Sequence, residues 1–282
     1  MSQIIACIDA SKSAHSVCDA TAWCSQRLSA PALALHVLDK DESLALSDLT
    51  GAIGLGAREH LLKELAELDH QRAKLAMEQG KIMLAAAEAQ MRKQGCQEVA
   101  NRQLHASLPE ALLDMAPHTR VVVLGRQGQS HERAQDAVGS QLETILRLSE
   151  HPVWVTPSEF VPPTRVTIAY DASPTAQRML TRLAASPLLN DLPIQLLMAA
   201  SDTPDHQAQL KAAQAELAEG GKNAQIQLTD DEPLGALRSA ASDPATLLCM
   251  GAFGHSRIRE FLVGSTTNAT LRHAHCSVLM VR

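Results

Sequence analysis

The chain is written twice, and that duplication limits its architecture more than any other feature. Residues Ile4-Ile-Ala-Cys-Ile-Asp9-Ala-Ser11 correspond to Val166-Thr-Ile-Ala-Tyr-Asp171-Ala-Ser173, each an apolar run ending in Asp-Ala-Ser. Later in each copy a short apolar run enters a glycine-spaced segment. In the first copy Val121 to Leu124 leads to Gly125-Arg-Gln-Gly128, ten residues, then Gly139-Ser140. In the second, Thr246 to Met250 leads to Gly251-Ala-Phe-Gly254, nine residues, then Gly264-Ser265-Thr266. Each copy must bury a core of its own, so two domains of one fold are expected.

Between these landmarks strands alternate with helical patterns. After Asp171, Ala176, Met179, Leu180, Leu183 and Ala184 recur at helical spacing, with Ser173 as N-cap and Pro174 in the first turn. In the first copy Ala14, Val17, Cys18, Cys24 and Leu28 form the stripe. Second strands follow at Ala32 to Leu38 and Ile194 to Ala200, and last strands at Val153 to Thr156 and Ser277 to Val281. This order predicts parallel βαβ units with right-handed crossovers and a sheet covered on both faces. Pro157, Pro162 and Pro163 mark a linker over 157–164, giving domains of 1–157 and 164–282.

The copies differ in length. Asp9 to Gly125 spans 116 positions and Asp171 to Gly251 spans 80, so the first copy has 36 more residues, placed within 41–95. That segment carries a loop, Thr50-Gly-Ala-Ile-Gly-Leu-Gly56, and a charged helical pattern from Glu59 to Gln94. Leu61, Leu65, Leu68, Leu75 and Ile82 make its apolar seam, read as the face of a crossover helix lying on its own sheet. A partner-binding helix is the other reading; Arg72 and Gln79 interrupt the seam and argue against a coiled coil.

Composition removes several classes. The 282 residues are 45% apolar but only 2% aromatic, so Ala, Leu, Val and Ile do the packing. A net charge of −6 argues against binding nucleic acid or an anionic membrane, which needs clustered Lys and Arg. No apolar run approaches the roughly 18 residues of a membrane span, and the N-terminus lacks a secretory pattern; a cytoplasmic location is expected. None of the six cysteines forms a CxxC pair, which points to reduced core thiols. Cys18 and Cys24, six apart on a helix, fall on different faces.

In a doubly wound sheet, ligands sit beyond the carboxyl ends of the strands where strand order reverses. Asp171 and Gly251 would face one such crevice. The carboxylate could accept hydrogen bonds from an adenine amino group or a ribose hydroxyl. Glycines 251 and 254 leave room for a ligand. Phosphates would meet the backbone N–H groups of Gly264 to Thr266 at a helix N-terminus, with the hydroxyls of Ser265 and Thr267.

The Asp at the end of the first strand, the G-x2-G-x9-G-[S/T] spacing and the duplication together resemble the universal stress protein family. The second copy matches at Asp171, Gly251, Gly254, Gly264 and Ser265, with Met250 leading into the motif. Leu271 to Arg282 looks like the family's C-terminal signature, with Ser277 where proline is common. The resemblance implies two Rossmann-like α/β domains of the adenine nucleotide alpha hydrolase-like kind. Each would be a five-stranded parallel sheet flanked by helices, the two packed as a pseudo-dimer through their last strands.

It also implies a stress-response protein that binds ATP, or AMP or ADP, with Mg2+ as an accompanying ion, and acts through protein partners. Intrachain domain pairing is expected, with a homodimer allowed. The second-copy site is Asp171, Met250, Gly251, Gly254, Gly264, Ser265, Thr266 and Thr267. The first copy (Asp9, Gly125, Gly128, Gly139 and Ser140) departs from the pattern. It has ten loop residues instead of nine, Gln141 and Leu142 replace Thr266 and Thr267, and His131, Glu132, Arg133 and Asp136 crowd the loop. The second site is therefore expected to be the tighter one.

Other signals have plainer readings. His273-Ala-His275-Cys276 is one short cluster, whereas structural zinc wants four convergent ligands, so no metal site is expected. His36 reads as a rim or core histidine, Asp230-Asp231-Glu232 as the acidic start of a helix. Asp9 and Asp171 could simply cap the first helices. No G-x-S-x-G elbow, Walker A lysine or H-E-x-x-H helix is present, so no catalytic residue is assigned. A non-enzymatic binder is favoured; the alternatives are a slow ATP hydrolase, or a scaffold that holds an apolar ligand or none.

Overall fold

A computed structural model describes residues 2–38, 55–126, 140–251 and 265–282. The first half runs β1 (Gln3–Cys7), α1 (Ala14–Leu28), β2 (Ala32–Val37), α2 (Leu55–Lys93), β3 (Val99–Leu104), α3 (Leu108–Asp114), β4 (Thr119–Gly125), α4 (Ser140–Leu148) and β5 (Val153–Thr156). The second runs β6 (Arg165–Ala169), α5 (Pro174–Ala185), β7 (Ile194–Ala199), α6 (Pro204–Glu219), β8 (Ala224–Thr229), α7 (Pro233–Ala240), β9 (Thr246–Gly251), α8 (Ser265–His273) and β10 (Ser277–Val281). The α/β alternation read from the sequence is present in both halves, and the strands within each half pair in parallel.

The strand order is β3-β2-β1-β4-β5-β10-β9-β6-β7-β8. Each half is a five-stranded parallel sheet, as expected, but the two sheets are not separate. Strands β5 and β10 pair antiparallel, with Val155 opposite Val278 and Val153 opposite Met280, and make one continuous sheet. Every residue of both strands is buried, so neither could serve as an open edge without exposing apolar surface.

Successive strand residues alternate between two cores. Ile4, Ala6 and Ile8 join Val17, Leu28, Leu84 and Met91 on one face, which continues through Ile168, Met179, Leu196 and Leu217. Ile5, Cys7, Leu33 and Leu35 join Leu112, Ile145 and Leu146 on the other, which continues through Leu237, Leu271 and Met280. Strands buried on both sides need near-continuous apolar runs, which explains the sequence of the inner strands. The outermost strands, Val-Ala-Asn-Arg-Gln-Leu in β3 and Ala-Gln-Ile-Gln-Leu-Thr in β8, carry exposed polar residues instead. Their mixed patterns conceal them in the sequence.

Helix α1 is buried nearly all round, between the sheet, α2 and the Pro187–Leu189 turn of the second half. Cys18 and Cys24 are consequently both buried, although six positions apart. At its C-terminal end the Arg27 guanidinium lies 5.0 Å from the Trp23 ring, donates from Nε to Leu188 O at 2.6 Å, and also reaches Asn190 O. Trp23 in turn lies 5.4 Å from Trp154 of β5. This Trp154–Trp23–Arg27–Leu188 chain ties the helical layer of one half to the other.

One expectation fails for α2. It spans Leu55–Lys93, and its contacts with the body come from Gly80, Leu84, Ala87 and Met91, which are buried. Leu68, Leu75 and Ile82 point to solvent, so the seam read as facing the sheet is on the outer side. Gly80 fits this placement: a Cβ there would come within 2.7 Å of the His36 ring and 2.9 Å of Gln103 Cδ, so the helix passes close over β2 and β3 at this glycine.

All six cysteines are free and buried. Burial pushes the Cys7, Cys24 and Cys249 thiols far up, Cys18 to about 12 and Cys276 to about 11. A thiol held protonated in the folded state contributes stability below the unfolded value, about 8.5. That stability is lost as pH rises toward the folded value, about 12 for Cys18. The urea midpoint should therefore fall as pH rises from 9 to 11. Ellman's reagent should find no reactive thiol in the folded protein near pH 8 and all six in denaturant; a midpoint that does not move refutes this. Trp154→Ala should cost about 3–5 kcal/mol. Because Trp154 stands at the junction, both halves should lose stability together; a tryptophan-independent probe in the second half that reports no change would contradict this.

Candidate functional site

The site is built at the carboxyl ends of β6 and β9. These strands are neighbours, with Ile168 opposite Cys249, and the chain leaves them in opposite directions across the sheet: β7 and β8 on one side, β10 on the other. The sheet is therefore split at its top between them, the place where an open α/β sheet accepts ligands.

Asp171 follows β6 and is exposed. The Ser173 N–H donates to its Oδ1 at 3.0 Å, closing a tight turn around Ala172, whose φ is +55°. Ser173 Oγ accepts from the Ala176 N–H at 3.1 Å, and α5 starts at Pro174. Asp171 does not itself cap α5, whose N-cap is Ser173; it closes the turn before the helix with one carboxylate oxygen of an exposed residue. The other oxygen has no partner among the described residues. Closing this turn and binding a ligand are compatible here.

Gly251 ends β9 against the first turn of α5. A Cβ at this position would lie 3.2 Å from Thr175 Cγ2 and 3.8 Å from the Ala176 nitrogen. The structure therefore brings Gly251 beside the turn that Asp171 forms. Met250 sends its side chain into the core shared with Val278 and stands opposite Met280 in the β9–β10 pair. Gly254 and Gly264 lie outside the described residues. Ser265 and Thr266 open α8, and nothing is described of their side chains. Thr267 is buried, at the position that Leu142 fills in the first half.

The first half has the same plan with different details. Asp9 Oδ1 accepts from the Ser11 N–H at 3.1 Å. Helix α1 begins only at Ala14, without a side-chain cap, and the Ser11 hydroxyl is buried with no hydrogen-bond partner. Proline follows Ser173, whereas Lys12 follows Ser11, and proline at the first helical position starts a helix at once. Gly125 ends β4 beside Thr156. Arg126 then turns away, donating from Nη1 to Ala274 O of the second half at 2.6 Å. Gly128 and Gly139 lie outside the described residues, as do His131, Glu132, Arg133 and Asp136; Ser140 opens α4.

The helices that follow the two glycine segments meet. Asn268 Nδ2 in α8 donates to Glu143 Oε1 in α4 at 2.8 Å. Neither Arg126 nor the Asn268–Glu143 pair was found in the sequence; only the loop departure at Gln141 hinted at a difference between the copies. His36 sits on the rim of the first half, where its Nδ1 hydrogen-bonds Ile8 O at 2.8 Å. Glu232 caps α7, accepting from the Gly235 N–H at 3.3 Å, so the acidic triplet does start a helix. His273 and His275 are exposed whereas Cys276 is buried, and among the described residues no group of three or more His, Cys, Asp or Glu could hold a metal ion.

A groove of about 700 Å3 lies at the opposite ends of β6, β7 and β8, lined by Arg165, Thr167, Gln195 and Lys222. It is not the candidate site despite its size. Its lysine already donates to Asn190 Oδ1 at 3.0 Å and to Gly220 O at 3.2 Å, closing the end of α6. The Asp171 turn carries its own test: Ser173→Ala should cost about 1 kcal/mol and lower the melting temperature. Ser11→Ala, whose hydroxyl accepts no helix N–H, should not; equal losses at the two positions would contradict this asymmetry.

Among the described residues, no helix is long and apolar enough to cross a membrane. The universal stress protein family model matches the chain twice, over residues 1–157 and 163–282. A universal stress protein of Synechocystis is 35% identical over 287 residues, covering all of both chains. The crystal structure of a universal stress protein from Archaeoglobus fulgidus superposes with a TM-score of 0.72 at 17% identity, covering 99% of this chain and 98% of that one. A Pseudomonas aeruginosa structure superposes with a TM-score of 0.60 at 13% identity, covering 99% and 92%. With two copies of the domain in tandem on one fused sheet, the chain belongs to the universal stress protein family.

Proposed function

We propose that the crevice between β6 and β9 binds an adenine nucleotide, ATP, ADP or AMP, and that the protein acts in the stress response through partners, without catalysing a reaction. The observation that carries this reading is the position of Gly251. It stands against Thr175 in the first turn of α5, one turn from the exposed Asp171 carboxylate, and begins the glycine spacing that ends where α8 starts.

Asp171 would hold the adenine or ribose with its unpartnered oxygen. The N-terminus of α8, with Gly264, Ser265 and Thr266, would hold phosphates through backbone N–H groups. Mg2+ would accompany the triphosphate on its solvent side. No residue among those described is placed as a base to activate water, so turnover is not part of the proposal. A cytoplasmic setting fits six reduced thiols.

The second half would be the tighter site. Arg126 supports this, since the residue after Gly125 is drawn toward Ala274 and away from a ligand of its own half. Thr266 and Thr267 stand where the first half has Gln141 and Leu142, a hydroxyl advantage of roughly ten- to a hundredfold in affinity.

Equilibrium dialysis with ATP, ADP and AMP tests the assignment. About one equivalent per chain should bind. Asp171→Ala and Gly254→Val should each weaken binding at least tenfold, and Gly128→Val should change it little. Binding that survives Gly254→Val and is lost with Gly128→Val would move the site to the first half. No binding of any of the three would leave the scaffold reading. Phosphate release lost in Asp171→Ala would make the protein a hydrolase.

A further inference from the structure

We infer that α2 is a self-association device: two copies of this chain pair antiparallel through the outer faces of their α2 helices. The helix is 39 residues long, about 58 Å at the α-helical rise. From Lys63 to Gln79 every residue is exposed except Leu65 and Ala76, which are half-exposed. The helix therefore projects beyond the body before Gly80, Leu84, Ala87 and Met91 anchor it.

It has two apolar faces. The anchoring residues form one. Leu68, Leu75 and Ile82, seven residues apart, form the other; Ile82 and Leu84 are separated by about 200° around the axis. These three are 49%, 70% and 71% exposed, and with Met77 they make four of the eight exposed large apolar side chains among the described residues. A projecting helix without tertiary support is marginal in water, so a lengthwise apolar stripe on one calls for a covering surface.

The charges on the stripe identify that surface. Three positions before each apolar residue stand Leu65, Arg72 and Gln79, which complete a short seam. In a parallel, in-register pair Arg72 would stack on the partner subunit's Arg72. In an antiparallel pair Leu65 meets the partner subunit's Ile82, Leu68 meets the partner subunit's Gln79, and Arg72 packs on the partner subunit's Leu75 with the partner subunit's Glu78 in reach. The existing pairs of Arg72 with Asp69 (3.9 Å) and Lys81 with Glu78 (3.1 Å) are exposed and weak enough to rearrange. The seam is thus complementary to itself in one orientation, as a two-fold interface requires. Ala86 and Ala89, both exposed, continue this face toward the body and leave room for the tip of the second helix. Arg72 and Gln79, which argue against a long continuous coil, here select the orientation of a short pair.

Sedimentation equilibrium of the full chain between about 1 and 100 µM, with circular dichroism as a fold control, tests the inference. The wild type should be dimeric in this range. Leu75→Glu and Ile82→Glu should each raise the dissociation constant at least tenfold with unchanged dichroism. Arg72→Glu should weaken the dimer, and Arg72→Glu combined with Glu78→Arg should restore it. Positions 72 and 78 are six apart and do not face each other within one helix, so rescue reports contact between copies. A wild type that stays monomeric at 100 µM overturns the inference, as does a dimer indifferent to Leu75→Glu and Ile82→Glu, or a failed rescue.

Discussion

The antiparallel pairing of β5 with β10 is the constraint on which the rest of the molecule depends. Each half alone would end in a wholly apolar strand with an open row of backbone donors and acceptors, a costly and aggregation-prone edge. Joining the two satisfies both rows, makes each of the two cores continuous across the junction, and brings Trp154 beneath Trp23. The free edges move to β3 and β8, which Asn101, Arg102, Gln225 and Gln227 keep polar. A family domain that could pair with another molecule through its last strand has here used that strand within its own chain.

Duplication on one sheet does not make the halves equal. Both contain Asp-Ala-Ser and both close the same side-chain-to-backbone turn. The following residue then separates them. Proline begins α5 immediately and puts Ser173 to use as a cap; lysine delays α1 and strands the Ser11 hydroxyl in the interior. At the next landmark the arginine after Gly125 crosses to the other half. The first half has also exchanged Met198 and Leu228 for His36 and Gln103, over which α2 passes at Gly80. Small local changes of this kind make the two halves differ at corresponding positions. The Asn268–Glu143 contact links the helices that each glycine segment enters.

Helix α2 shows why periodicity alone could not assign its environment. It has two apolar stripes. The more conspicuous in the sequence, with large residues at seven-residue spacing, is the exposed one. The stripe that anchors it reads Gly80, Leu84, Ala87 and Met91, smaller and less regular, because close approach to the sheet rewards small side chains where backbones meet.

The sequence by itself determined the duplication, the α/β alternation, the inner strands, the cap at Ser173 and the family. All of these follow from local chemistry: apolar runs long enough for burial on two faces, a serine before a proline, glycines at fixed offsets. It also put Asp171 and Gly251 at strand ends, because strand-end positions follow from βαβ order; that those two strands are neighbours came from the fold. Only the tertiary structure decided that the two sheets are one, that Thr267 turns inward while Asp171 stays exposed, that α1 is buried on several sides, and that the leucine seam of α2 faces outward. Those outcomes depend on which surfaces meet across the β5–β10 junction and beneath Gly80. Partners brought together from more than a hundred residues apart, such as Trp23 with Trp154 and Asn268 with Glu143, leave no periodic mark in the chain.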